Sequence, residues 1–402
     1  FRTALDIVMQ ADDAGPLSER RAEAYRELGL FYCHIGKLGK AEEAYVRALG
    51  LIYSDNDKAR QERAAIEKNL AYVETLLGES KDVPKRIERA LTIYESFPDM
   101  KKEIALTYST IGEIYRYSND FEKAWQANRR AERIADDLNW LEWLSQVNQQ
   151  EAICLFQAAT SEKQQLLPPF ESYEAMEQEA QRLIEQARDF ADGCNQRALP
   201  SVFNRAGRIW GASDPQKGLD YLRRAFEEAA EFADKRLEYA SLTEYVELAY
   251  SIWTTKGRED AYERIAEVAD LLSQIQTDTE NGFPEFRGRW HVIQGHIKLT
   301  QAVRACVKIQ KKLIVEALGH YLTGFPLILS GNITLQSIPK GFREFTRLLF
   351  ELPDLYWSQL VNLLRDTWSD MSKGYLEKTE DYDYLEDQLD ELQETIESWK
   401  RA

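Results

Sequence analysis

The chain is poor in the side chains that do metal and nucleophile chemistry. Its 402 residues hold four cysteines and four histidines. Cys33, Cys154, Cys194 and Cys306 are far apart and make no CxxC pair. They read as small core residues of a reducing, cytoplasmic compartment rather than as a disulfide framework. His291 and His296 are five residues apart, which does not align two rings on one helical face, and His34 and His320 stand alone in the sequence. No metal site and no cofactor are expected. The G-x-x-x-x-G-K-[ST], H-E-x-x-H and G-x-S-x-G patterns are missing, so nothing motivates an enzyme. With 11 prolines and 20 glycines the chain is neither a low-complexity nor an all-β sequence. No apolar run reaches the roughly 18 residues of a membrane span, and no signal-peptide pattern is present, so no membrane contact is expected. Basic charge is also in deficit. Lys and Arg number 51 against 68 Asp and Glu, a formal net charge of -17. General nucleic-acid binding needs a basic footprint and is not expected here.

What is present is a spacing. Residues 25–48, YRELGLFYCHIGKLGKAEEAYVRA, set Tyr25, Leu28-Gly29, Tyr32, Gly36, Ala41, Tyr45 and Ala48 in one unit. Small residues at Gly29, Ala41 and Ala48 let two helices approach closely, and Tyr25, Leu28, Tyr32 and Tyr45 fill the space around that contact. Gly36-Lys37-Leu38-Gly39 is the expected turn. An aromatic, Leu-Gly, Tyr, Gly, then Ala-x3-aromatic-x2-Ala resembles the tetratricopeptide repeat. The fold class implied is all-α, an α-solenoid of helix-turn-helix TPR repeats.

The pattern recurs along the chain. Leu70-Ala71, Gly78, Ile87 and Ala90 mark a second unit, and Tyr108, Ile111-Gly112, Tyr115, Ala124 and Ala131 a third. Leu28 to Leu70 is 42 residues and Leu70 to Ile111 is 41, against about 34 in the standard unit. One extra turn on each helix, at about 3.6 residues per turn, accounts for the excess and keeps both apolar faces in phase. A fourth unit is interrupted by a long loop carrying Pro168-Pro169. A fifth is centred on Ala206-Gly207 and a sixth on Leu248-Ala249, and a seventh follows Trp290. The expected organisation is a half repeat at 1–17, a solenoid of six to seven repeats at 18–330, a helical cap at 331–375, and an acidic amphipathic helix at 376–402. In the last of these, Tyr382, Leu385, Leu389, Leu392, Ile396 and Trp399 form a heptad-like stripe, and residues 377–397 hold ten acidic residues against one Lys. Two readings stay open for it: folding back to close the solenoid end, or dimerising as a short coiled coil.

The resemblance also implies where a ligand would go. In tetratricopeptide folds the first helix of each repeat lines a groove. Counted from the Leu-Gly anchor, the groove-facing positions lie two before it and two and five after it. That projection, with adjacent positions, gives a partner-binding groove of Arg26, Lys68, Tyr72, Arg116, Arg205, Arg208, Tyr250 and Trp253. The projected surface is basic and aromatic on an acidic chain, suited to a protein or peptide partner with an acidic segment. The long units resemble those of kinesin light chains, of many bacterial signalling proteins, and of the C-terminal sensor solenoids of bacterial STAND-class signalling NTPases. The last likeness implies a non-catalytic sensor in a larger signalling or defence protein, with an NTPase or effector domain upstream of Phe1. A free-standing adaptor that assembles protein partners is the alternative reading.

Overall fold

A computed structural model describes residues 18–78, 81–161, 164–257, 259–277, 283–305 and 307–330, together with 344, 345, 347 and 348. The half repeat at 1–17, the helix at 376–402 and the rest of the cap at 331–375 lie outside the described residues. Among the described residues every regular element is helical, and successive helices pack as helix-turn-helix pairs in a TPR-like solenoid. The chain divides into two compact units, Phe1–Ser241 and Leu242–Ala402.

The first unit contains five pairs. They are α1 (Ser18–His34) with α2 (Leu38–Gly50), α3 (Asp57–Leu76) with α4 (Val83–Glu95), and α5 (Lys101–Tyr117) with α6 (Phe121–Asp137). Then come α7 (Leu141–Thr160) with α8 (Tyr173–Cys194) and, after a 3-10 turn at Gln196–Ala198, α9 (Leu199–Ser213) with α10 (Pro215–Glu231). First helices of neighbouring pairs also touch one another, α1 with α3, α3 with α5, α5 with α7 and α7 with α9.

The small-residue anchors act as their spacing predicts. A Cβ on Gly29 would lie 2.5 Å from the ring of Tyr45, one on Gly112 would overlap the Asn128 carboxamide, and one on Gly207 would overlap Leu222. Each glycine therefore admits a side chain of the facing helix against its own backbone. Ala41, Ala48, Ala124 and Ala131, on the same facing helices, are wholly buried, as is Ala90 in the second pair. Cys33, half-buried, is 3.8 Å from the Tyr45 hydroxyl, and burial pushes its thiol up to about 11.

The turns are shorter than the sequence suggests. Leu38 and Gly39 already belong to α2, because Leu38 is buried and starts the helix. Gly36 takes the left-handed φ of 72°, and the Lys37 N–H closes on the Tyr32 carbonyl at 2.8 Å. The same closure follows Asn119 (φ 56°) and Asn139 (φ 49°), where Asp120 and Trp140 donate to the carbonyls of Tyr115 and Ala135. Asparagine is the commonest substitute for glycine at such a helix end. The loop before α8 packs down rather than standing free. Leu167 is buried, Phe170 meets Trp125 edge-on at 5.8 Å, and the Gln165 N–H donates to the Ala158 carbonyl.

The boundary between the units falls within α11 (Lys235–Lys256). The second unit continues through α12 (Glu259–Glu267), α13 (Ala269–Thr277), α14 (Pro284–Arg304) and α15 (Val307–Ser330). The second helix of the sixth repeat is thus two short helices that meet at Val268. In the seventh, α14 and α15 pack closely. A Cβ on Gly295 would lie 2.8 Å from the ring of Tyr321, itself fully buried against Phe345.

Candidate functional site

A cleft of about 250 Å³ opens in the first unit. Only first helices line it: α3 gives Lys68, Asn69 and Tyr72, α5 gives Leu106, Ser109, Thr110 and Glu113, α7 gives Trp143, Gln146 and Gln150, and α9 gives Arg205. The repeat length explains the set. Lys68, Ser109 and Gln150 are successive members of one repeat position, each 41 residues apart, and Tyr72 stands in the same relation to Glu113. Neighbouring first helices therefore present equivalent residues side by side. The Ser109 hydroxyl donates to the Gln150 side chain. Two turns further on, Arg116 donates to Gln157 at 3.0 Å across the same helix pair, again 41 residues apart.

The cleft is polar, desolvated and unevenly paired. Glu113 is only 8% exposed. Burial opposes its charged form, but the Arg116 guanidinium, with Arg205 and Arg208 contributing, outweighs that and holds its carboxyl below the usual range. Arg116 binds one Glu113 oxygen at 2.6 Å and places its guanidinium 4.2 Å from the centre of the Tyr117 ring. The other oxygen, Glu113 Oε1, has no hydrogen-bond partner, nor do Arg205 Nη1 and Trp143 Nε1. Burial lowers the Arg205 guanidinium below its ordinary value, with Glu113 opposing. Burial also drops the Lys68 ammonium to about 8, helped by the positive charge of Arg26 and opposed by Glu103. Tyr72, raised by burial and by Tyr117 and Glu113, stays a neutral phenol with its ring 6.3 Å from that of Tyr117. The surface thus offers an ammonium, a guanidinium N–H and an indole N–H as donors, amide and hydroxyl groups of both kinds, and two aromatic faces. That inventory suits a ligand rich in acceptors that also carries some donors.

Of the residues projected from the sequence, Lys68, Tyr72 and Arg205 line the cleft together. Arg116 lies against its wall through Glu113, and Arg208 acts on the same carboxylate through its charge. Arg26 is engaged elsewhere, with Glu62 at 2.7 Å and Glu27 at 2.9 Å. Tyr250 and Trp253 belong to the second unit and are 6% and 3% exposed. The Tyr250 hydroxyl bonds Thr300 and Glu344, both at 2.9 Å, and the Trp253 indole N–H donates to Glu259 at 3.1 Å. The projected basic surface is therefore interleaved with acids, because Glu62 and Glu113 face Arg26 and Arg116. Asn69, adjacent to Lys68 in the projection, also lines the cleft, whereas Trp143, Gln146 and Gln150 were missed by it. Adding one repeat length to Lys68 and Ser109 leads to Gln150, a signal that was available in the spacing.

Sequence isolation also misled for histidine. His320 is not alone, since its Nδ1 is 3.2 Å from that of His291. Among the described residues no group of three or more His, Cys, Asp or Glu is placed to hold a metal ion, and no helix is long and apolar enough to cross a membrane.

No family model and no curated protein sequence matches the chain. Among solved structures, the chain is similar over 80% of its length to 99% of the apo form of RapI, at 12% identity and a TM-score of 0.46. It is similar over 62% of its length to 99% of PilF from Pseudomonas aeruginosa, at 17% identity and a TM-score of 0.35. A circular tandem repeat protein with a novel repeat topology is similar over 94% of this chain and 90% of its own, at 15% identity and a TM-score of 0.24.

Proposed function

We propose that the protein is a non-catalytic binding module whose first-helix cleft holds an extended protein or peptide segment with an acidic side chain. The observation that carries this reading is the set of buried donors without partners, Arg205 Nη1 and Trp143 Nε1, in a cleft that also holds the Lys68 ammonium. Leaving such groups desolvated and unbonded costs free energy, which a ligand acceptor recovers on binding. Tyr72 and Trp143 add ring faces at the centre of the surface, where binding energy concentrates. Arg26, Arg116 and Arg208 shape the field around the cleft, and Tyr250 and Trp253 support the second unit. The wider role implied by the long repeats is recognition of a trigger by a sensor within a larger signalling polypeptide, and the same cleft would serve it.

A random peptide library displayed on phage and selected on the protein tests the reading. Peptides containing Asp or Glu should be enriched. Their affinity should fall by about 10-fold or more in Arg205→Met and in Lys68→Met, as expected for a hydrogen bond to a charged group. Selected peptides that bind both variants as well as the parent protein would place recognition outside this cleft. Charge reversal at Arg116 is the poorer test, because it would strand the buried Glu113.

A further inference from the structure

In the second unit, α14 and α15 cross at two glycines. A Cβ on Gly288 would lie 2.6 Å from the Gly324 carbonyl oxygen, and one on Gly324 would lie 2.8 Å from the Gly288 carbonyl oxygen and 3.0 Å from the His291 side chain. Neither backbone can move closer, so side chains beside the crossing are held opposite one another. Those side chains are His291, one turn after Gly288, and His320, one turn before Gly324. Their Nδ1 atoms are 3.2 Å apart, with ring centroids separated by 5.5 Å and ring planes tilted by 37°. Both residues are half-buried, so water reaches them.

Two imidazole nitrogens at this distance share a single proton, and a cation can take its place. A tetrahedral first-row ion binds imidazole nitrogen at about 2.0–2.1 Å, and an angle of about 109° between two such bonds sets the nitrogens about 3.3 Å apart. The pair already has that bite. Burial holds the His291 imidazole down to about 4, with His320 and Arg287 adding to it. His320 is lowered by burial and by Lys298, with Glu316 opposing. Neutral rings are the form in which histidine binds metal. Glu316, one turn before His320 and paired with Lys298 at 2.8 Å, offsets part of the positive field of Arg287 and Lys298.

We infer that His291 and His320 form a two-histidine site for a divalent transition cation of the zinc or nickel type, with water completing the coordination, and that the ion ties α14 to α15. This inference is independent of the cleft in the first unit. It is tested on the full chain carrying no polyhistidine tag, melted in EDTA and then in sub-millimolar ZnCl2 or NiCl2. The cation should raise Tm by several degrees. The rise should vanish in His291→Gln and in His320→Gln and persist in His34→Gln. If either loss-of-ligand variant folds poorly, copper(II) bound to the unmodified chain gives a second readout, an EPR spectrum with superhyperfine splitting from two nitrogens. No rise in the parent protein, an equal rise in the two ligand variants, or a copper spectrum without two nitrogens would overturn the assignment.

Discussion

Charge is buried in two different ways within the first unit. Between α3 and α4 it is closed. Glu67 and Glu74 are 6% and 7% exposed, Arg86 binds both carboxylates at 2.8 Å, and Arg89 binds Glu67 at 2.9 Å. In the cleft it is open. Glu113 is buried and Arg205 half-buried, yet each keeps a buried atom without a hydrogen-bond partner. The difference follows from where the partners come from. Arg86 and Arg89 lie on the second helix of the pair that holds the two glutamates, so one helix-turn-helix contact sets all four residues face to face. The cleft residues come from four first helices of four different pairs, and stacking at a fixed repeat length leaves polar positions side by side without matching every donor to an acceptor. Buried charge here keeps a hydrogen-bonding position open only where its partner is missing.

The largest effect should come from breaking the closed cluster. Arg86→Met leaves Glu67 and Glu74 buried with only Arg89 beside one of them, and should cost about 3–5 kcal/mol. Urea unfolding followed by circular dichroism measures it, and an unchanged midpoint would erase the distinction between the two clusters.

Glu151 sharpens the comparison, since it has neither a closed cluster nor a cleft. It is wholly buried, both carboxylate oxygens lack a hydrogen bond, and Arg129 approaches only to 3.7 Å. Burial, reinforced by Glu132 and opposed by Arg129, pushes its carboxyl up to about 8 from 4.5. Over that interval the folded state keeps a proton that the unfolded chain has lost, so Glu151 makes stability fall as pH rises from 4.5 towards 8. Glu151→Gln should remove that contribution and gain about 1–3 kcal/mol at pH 8. Melts of the parent and variant that stay parallel from pH 5 to pH 8 would refute the assignment.

The smallest effect belongs to the cleft itself. Lys68 gives up its proton near pH 8 in the folded state and near 10.5 in the unfolded chain. Its contribution to stability is therefore least favourable below pH 8 and improves as pH rises through that window. Lys68→Met should be as stable as the parent at pH 7 or better, by on the order of 1 kcal/mol, and the gain should shrink by pH 10. A variant that is less stable at pH 7 would mean that Lys68 is paired, and the cleft would then resemble the closed cluster.

Much of the array is legible in the residues. Leu28-Gly29 with Tyr45, Ile111-Gly112 with Asn128, and Ala206-Gly207 with Leu222 are contacts that the small-residue spacing anticipates. The 41-residue interval between equivalent positions also foretells that Lys68 will neighbour Ser109. The site is less legible. Arg26 reads as a groove cation until Glu62 is found beside it, 36 residues away, and Tyr250 reads as a ring face until Thr300 and Glu344 engage its hydroxyl.

By itself the sequence determined the pairing of helices in order along the chain, because helical periodicity and the placement of Gly and Ala decide locally which face can approach another. It also determined which faces carry the polar residues. Only the tertiary structure decided which of those residues find partners. A long side chain's partner comes from another helix, often a whole repeat away, as with Arg116 and Gln157. Its choice depends on distances of a few tenths of an ångström that spacing does not encode. The same reason explains the histidines: His291 and His320 are 29 residues apart in the chain, and only the close crossing at Gly288 and Gly324 brings their rings together.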